Sequence, residues 1–140
     1  MFSTGVLHYF IENNIKTDDF KICVLIQEMV EAEKSGVIFT INPMNGNDTE
    51  LIIEVTEGIG ENLVSGKVVP KRCIYDWQEE KSIVPMENNA LSKEQLHNLI
   101  KTSLSVQKEY EFPCDIEFAF DKDKLYLLQA RPITNICILI

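Results

Sequence analysis

The sequence predicts an α+β fold, a mostly antiparallel sheet covered by helices, and three features carry that expectation. Residues 115–121 and 125–131 alternate apolar and polar side chains on either side of a short charged turn, the pattern of two half-buried strands. Residues 92–110 repeat apolar positions at helical spacing. Between these and the N-terminus lie short apolar runs divided by Gly, Pro, Asn and Asp.

Taken in order, residues 3–13 predict a short helix with Val6, Leu7 and Phe10 on one face. Ile22 to Met29 reads as a strand, Glu31 to Ser35 as a polar turn, and Val37 to Ile41 as a second strand in hairpin with the first. Pro43 to Thr49 is dense in turn formers, and Leu51 to Thr56 predicts a third strand. Residues 57–66 are punctuated by Gly58, Gly60 and Gly66, as either a tight turn or a ligand-facing loop. Gly58 to Leu63 is not a complete dinucleotide fingerprint, and no Gly-Lys-Ser/Thr follows. Val68 to Trp77 predicts a strand interrupted near Pro70, and residues 78–90 an acidic loop.

The next helix carries its own start signal. Ser92 and Gln95 fit a capping box, and Leu91 with Leu96 a hydrophobic staple. Leu96, Leu99, Ile100, Ser103, Gln107 and Tyr110 follow one face, widened by Leu104, and Pro113 sets the latest stop. This helix is expected to cover the apolar face of the terminal hairpin.

In that hairpin Ile116, Phe118 and Phe120 point one way, and Asp115, Glu117 and Asp121 the other. Tyr126, Leu128 and Ala130 alternate with Leu127, Gln129 and Arg131. The two apolar sets share a face if Phe118 lies across from Leu128, with an odd-residue loop around Lys122 to Lys124. That register sets Glu117 opposite Gln129 and Asp115 opposite Arg131, one polar cluster assembled by burial of the other face. Carboxylate and amide oxygens suit Mg²⁺, and an Arg fork suits phosphate. A plain Asp–Arg pair on a solvated face is the competing reading.

Composition narrows the classes. Apolar content of 45% and charged content of 25% are near globular averages, and 140 residues suit one domain with a core. A net charge of −9 argues against nucleic acid or an anionic membrane as partner. Cys23, Cys73, Cys114 and Cys137 lack metal-site spacing and read as reduced thiols of a cytoplasmic protein. His8 and His97 have no partner at catalytic spacing. Residues 1–134 are read as one domain and 135–140 as an apolar tail too short to span a bilayer.

Four segments, in order, resemble the phosphoenolpyruvate synthase and pyruvate phosphate dikinase family. They are Val24-Leu-Ile-Gln27-Glu-Met29-Val30; Ser35-Gly36-Val37-Ile-Phe39-Thr40-Ile-Asn-Pro43; Glu54-Val-Thr-Glu-Gly58-Ile-Gly60-Glu61 with Val64-Ser65-Gly66-Lys-Val68-Val-Pro70; and Asp115-Ile-Glu117-Phe-Ala with Leu125-Tyr-Leu-Leu-Gln129-Ala-Arg131-Pro132-Ile-Thr134. The family usually has Trp where Glu57 stands.

The resemblance implies an ATP-grasp fold, a Mg-ATP site, and phosphoryl transfer to a histidine on a mobile domain and then to pyruvate or, in a relative, a rifamycin. It places Asp115, Glu117 and Gln129 at the Mg-ATP phosphates, with Glu117 and Gln129 as metal ligands. Arg131 falls at the terminal phosphates as the catalytic residue, and Gln27, Glu28, Met29 and Val30 along the adenine. It covers the later part of the family's ATP-binding domain. The expectation is therefore a fragment, inactive alone, whose partners are ATP and a separate chain supplying the remaining lobe and the phosphohistidine domain. A non-catalytic remnant or interaction module is the alternative, as is a lobe of a rifamycin phosphotransferase-like or pyruvate phosphate dikinase enzyme.

Overall fold

A computed structural model describes residues 4–13, 24–59 and 69–134. The elements are helix α1 (Thr4–Glu12), strands β1 (Lys34–Phe39), β2 (Glu50–Glu57), β3 (Lys71–Asp76) and β4 (Lys81–Val84), a 3-10 turn (Glu87–Asn89), helix α2 (Lys93–Tyr110), and strands β5 (Cys114–Asp121) and β6 (Lys124–Pro132). The six strands form one sheet in the order β4-β3-β2-β1-β5-β6, and every pairing is antiparallel.

One face of the sheet is the core. Ile38, Leu51, Ile53, Val55, Cys73, Ile116, Phe118 and Phe120 are buried there with Leu99 and Ile100 of α2. Phe118 and Phe120 meet edge-on at 5.8 Å between centroids. β1 lies at the centre and approaches β2 closely at Gly36. A Cβ there would come within 1.9 Å of the Glu54 carbonyl oxygen and 2.9 Å of the Phe118 ring.

Helix α2 begins as expected. Gln95 N–H donates to Ser92 Oγ (3.1 Å) and Ser92 N–H to Gln95 Oε1 (3.0 Å), a complete capping box. Gln95 does more than cap. Its Oε1 also accepts from Lys34 Nζ (2.9 Å), and its Nε2 donates to the Lys122 carbonyl (2.6 Å), tying the helix start to β1 and to the β5–β6 turn. The helix ends at Glu111, in the left-handed region at φ 60, before Pro113. Leu99, Ile100 and Ser103 are buried, whereas Tyr110 is exposed.

Several expectations need correction. Residues 24–30 form no strand, and the proposed hairpin between Ile22 to Met29 and Val37 to Ile41 does not exist; residues 22 and 23 lie outside the described segments. The reason is competition: both edges of β1 are taken, by β2 and by β5, so no edge is left for a third partner. β1 also starts earlier than expected and absorbs Lys34 and Ser35. The acidic loop at 78–90 contains β4, which turns back on β3 through Glu80 at φ 49. Its four residues are all exposed, so no burial pattern announced it. β3 is shorter than expected, and residue 68 is outside the described segments.

The terminal hairpin departs from expectation in one residue. Asp115 pairs with Arg131 and Glu117 with Gln129, as predicted. Phe118, however, pairs with Leu127, not Leu128, because the register shifts between Glu117 and Phe118. Leu128 is the extra residue of a β-bulge. The turn is then Lys122–Asp123, two residues and not an odd number. The bulge sends Leu125, Leu127 and Ala130 to the core and moves Tyr126 and Leu128 to the other face.

Gly36→Ala is expected to destabilise the chain by about 3 kcal/mol, the upper end of overpacking costs, because the clash is with backbone. Urea titration measures it; a midpoint unchanged from wild type contradicts the close approach. Burial pushes the thiols of Cys73 and Cys114 above their ordinary value. Above about pH 8.5 the unfolded thiols lose protons that the folded ones keep, so stability should fall as pH rises. Urea midpoints between neutral pH and about pH 9.5 should show the decline, and replacing both cysteines by alanine should flatten it.

Candidate functional site

The face of the sheet opposite the core is ordered by the pairings in rows. One row runs Arg72, Glu54, Val37, Glu117, Gln129 across β3, β2, β1, β5 and β6. The next runs Ile74, Ile52, Phe39, Asp115, Arg131. The four polar residues predicted to meet therefore do meet, as two cross-strand pairs stacked along β5 and β6.

Asp115 and Arg131 are bonded. Arg131 Nε and one terminal nitrogen donate to the same oxygen, Oδ2, at 2.8 and 2.7 Å. The carboxylate is covered while the guanidinium stays largely in solvent (side chains 11% and 59% exposed). Its bond to Asp115 and the nearby Glu117 charge push the Arg131 value up, so it is a permanent cation. Asp115 Oδ1 is buried with no hydrogen-bond partner among the described residues. A buried carboxylate oxygen without a donor is costly, and it suits a cation or an ordered water.

Beside these pairs lies an open cleft of about 510 Å³, a volume in the range of ligand sites. Gln27, Glu28, Met29 and Val30 line one wall, and Glu117, Ala119, Leu128 and Gln129 the other. The residues expected along the adenine and those expected at the metal thus share one cavity. Asp115 and Arg131 do not line it; they sit one row further along the strands. The same segment, 27–31, borders an adjoining cleft of about 580 Å³ with Asp121, Lys124, Tyr126, Leu127 and Leu128. There Lys124 Nζ lies 4.5 Å above the Tyr126 ring.

Sequence reasoning missed Leu128, Ala119, Ser35 and Ile59 as cleft residues. Leu128 was unreadable because only the bulge exposes it. Ile59 had a signal in Gly58, which turns at φ 77 and is fixed by Gly58 N–H to the Glu33 carbonyl (2.8 Å) and by Ser35 Oγ donating to the Gly58 carbonyl (2.6 Å). The turn aims Ile59 into the cleft; residues 60–68 lie outside the described segments. Glu57 is exposed and pairs with Lys71. His8 is exposed, 3.8 Å from Glu12, and His97 is exposed on α2.

The donors that the cleft offers to a metal are oxygens, the Glu117 carboxylate and the Gln129 amide. No group of three or more His, Cys, Asp or Glu side chains that could hold a metal exists among the described residues. An ion here would keep most of its positions for water or ligand oxygens, which fits Mg²⁺ with a polyphosphate and does not fit zinc.

The face thus joins an acid–amide pair, a braced guanidinium and a flanking cleft on one open antiparallel sheet. Comparison with known proteins gives the family. Residues 1–87 and 75–137 match pyruvate phosphate dikinase, AMP/ATP-binding domain, and the chain belongs to that family. It is 36% identical over 147 residues to a probable phosphoenolpyruvate synthase of Methanocaldococcus jannaschii, covering 85% of this chain and 12% of that protein. It is 31% identical over 161 residues to a probable phosphoenolpyruvate synthase of Archaeoglobus fulgidus (97% and 21%). It is 30% identical over 160 residues to a rifampicin phosphotransferase of Bacillus cereus (97% and 18%). The chain thus spans about a fifth or less of the length of these relatives.

Arg131→Ala should cost about 1–3 kcal/mol of stability, because it leaves the covered Asp115 carboxylate with no donor. Adding Asp115→Asn should recover part of the loss, measured by denaturant midpoints of the single and double variants. An Arg131→Ala midpoint equal to wild type would show the pair to be energetically idle.

Proposed function

We propose that this chain is the Mg-ATP-binding lobe, of ATP-grasp type, of a pyruvate,water dikinase (phosphoenolpyruvate synthase)-like phosphotransferase. The observation that carries the reading is the shared cavity: Gln27–Val30 on one wall, Glu117 and Gln129 on the other. In this reading backbone groups of Gln27, Glu28, Met29 and Val30 meet the adenine edge, with Leu128 and Met29 as apolar surface. Glu117 and Gln129 hold Mg²⁺. Arg131 is the catalytic residue, pairing with terminal phosphate oxygens as charge shifts in transfer. Asp115 fixes the guanidinium plane through the two bonds to its Oδ2. Bound Mg²⁺ supplies neutralisation of polyphosphate charge, and the lobe supplies orientation.

The phosphoryl group would pass to a histidine carried outside these residues, and the rest of the nucleotide clamp would likewise come from other polypeptide. The final acceptor is set there. Pyruvate is the first reading, since two of the three relatives named above are probable phosphoenolpyruvate synthases; a rifamycin is the second, on the Bacillus cereus relative. The free, buried thiols of Cys73 and Cys114 suit a reducing cytoplasm.

Mg-ATP should bind the 140-residue chain with a Kd above about 100 µM, because an open cleft leaves much of the ligand wet. Glu117→Gln and Gln129→Ala should weaken Mg-ATP by about 1–3 kcal/mol and metal-free ATP by less. Arg131→Ala should weaken both forms. NMR titration with and without Mg²⁺ reads all three; unchanged binding in folded variants would remove the phosphate site from this face.

A further inference from the structure

The polar face carries a second guanidinium built like the first. Arg72 of β3 donates through Nε to Glu54 Oε1 at 2.8 Å, and a terminal nitrogen donates to the same oxygen. As with Arg131 and Asp115, both bonds fall on one carboxylate oxygen. As there too, the acid is mostly covered and the guanidinium mostly free (18% against 53% exposed). The two braced cations flank the acid–amide pair: Arg131 adjoins it on β6, and Arg72 closes the same row on the other side.

Only Val37 separates Glu54 from Glu117 in that row. With strands about 4.8 Å apart, the Glu54 and Glu117 backbones lie about 10 Å apart. A triphosphate chain with its hydrated cation can bridge that gap. Valine is short and uncharged, so it brings no competing charge to the row. The surface around it is acidic, through Asp115, Glu117 and Glu54, in a chain of net charge −9. A polyanion can settle here only where cations are provided, and Arg72 and Arg131 are the arginines that the described part of this face provides.

We propose that Arg72, oriented by Glu54, is a second phosphate-binding residue, contacting the terminal phosphoryl group of a bound nucleoside triphosphate. The proposal rests on the nucleotide reading above and adds a specificity: Arg72 distinguishes a triphosphate from shorter nucleotides. Arg131, beside the metal position, pairs with the terminal phosphate oxygens of triphosphate and diphosphate alike, whereas Arg72, at the far end of the row, is reached by a triphosphate alone. A pair that is only a surface ion bridge contributes little to stability and nothing to this distinction.

The test is NMR titration of the 140-residue chain and of Arg72→Ala, Arg72→Lys and Arg131→Ala with Mg-ATP, Mg-ADP and AMP, alongside thermal melts. Arg72→Ala should raise the Kd for Mg-ATP at least fivefold and change Mg-ADP and AMP less than twofold. Arg72→Lys, which keeps the charge and loses the fork, should fall between. If Arg72→Ala melts early, the double variant Arg72→Ala/Glu54→Gln, with no lone carboxylate, carries the same comparison. An Arg72→Ala effect that is absent, or equal for all three nucleotides, overturns the proposal while an Arg131→Ala loss keeps the nucleotide reading. No binding by wild type, or none altered by Arg131→Ala, overturns both.

Discussion

One extra residue in β6 reconciles the two faces of this sheet. β5 alternates strictly, with Ile116, Phe118 and Phe120 buried and Asp115, Glu117 and Asp121 opposite. β6 does not supply a matching strict alternation, since Leu125, Leu127 and Ala130 are its core residues and 127 and 130 differ in parity. Without an insertion, either the outer leucines or Gln129 and Arg131 would face the wrong way. The bulge at Leu128 absorbs the mismatch. It keeps three apolar side chains in the core, aligns Gln129 and Arg131 with Glu117 and Asp115, and turns one leucine into the cleft. Bulges beside binding sites re-aim side chains in this way.

The consequence is a polar face on β5 and β6 that inherits the rigidity of the core. Each polar residue of β5 alternates with a fully buried neighbour, so moving Glu117 means moving Ile116 and Phe118. β5 is paired on both edges, by β1 and β6. Its turn is held from outside by Gln95, which joins the Lys122 carbonyl to the α2 cap and to Lys34. The capping box is therefore also a clamp on the hairpin that carries the site. Such support is what precise placement of charge requires.

Much of this was legible in the sequence, for identifiable reasons. The Glu117–Gln129 and Asp115–Arg131 pairings followed from alternation, and α2 from its capping box and apolar spacing. The loop length and the Phe118–Leu128 partnership failed because a run such as Tyr-Leu-Leu fits two registers equally well, and hydrophobicity alone does not say which leucine bulges. β4 was hidden by its exposure. The stretch from 24 to 30 misled for the opposite reason. Its Val-Leu-Ile has strong strand propensity, yet propensity does not supply a partner, and both edges of β1 were already filled.

That stretch also sets the contrast within the cleft. The wall with Glu117, Ala119, Leu128 and Gln129 is a paired sheet, whereas the opposite wall, Gln27 to Val30, carries no strand pairing. Val24, Leu25, Ile26 and Met29 are 83%, 84%, 94% and 79% exposed. The described backbone bonds that anchor its end are Ala32 N–H to the Val30 carbonyl (2.9 Å) and Glu33 N–H to the Phe120 carbonyl (2.9 Å). Apolar area left in water is binding energy not yet used. Whatever covers these side chains gains that energy while fixing the unpaired wall of the cleft against the sheet wall. In such an arrangement the sheet decides where charge sits, and cover over residues 24–30 decides how much apolar area the cleft buries.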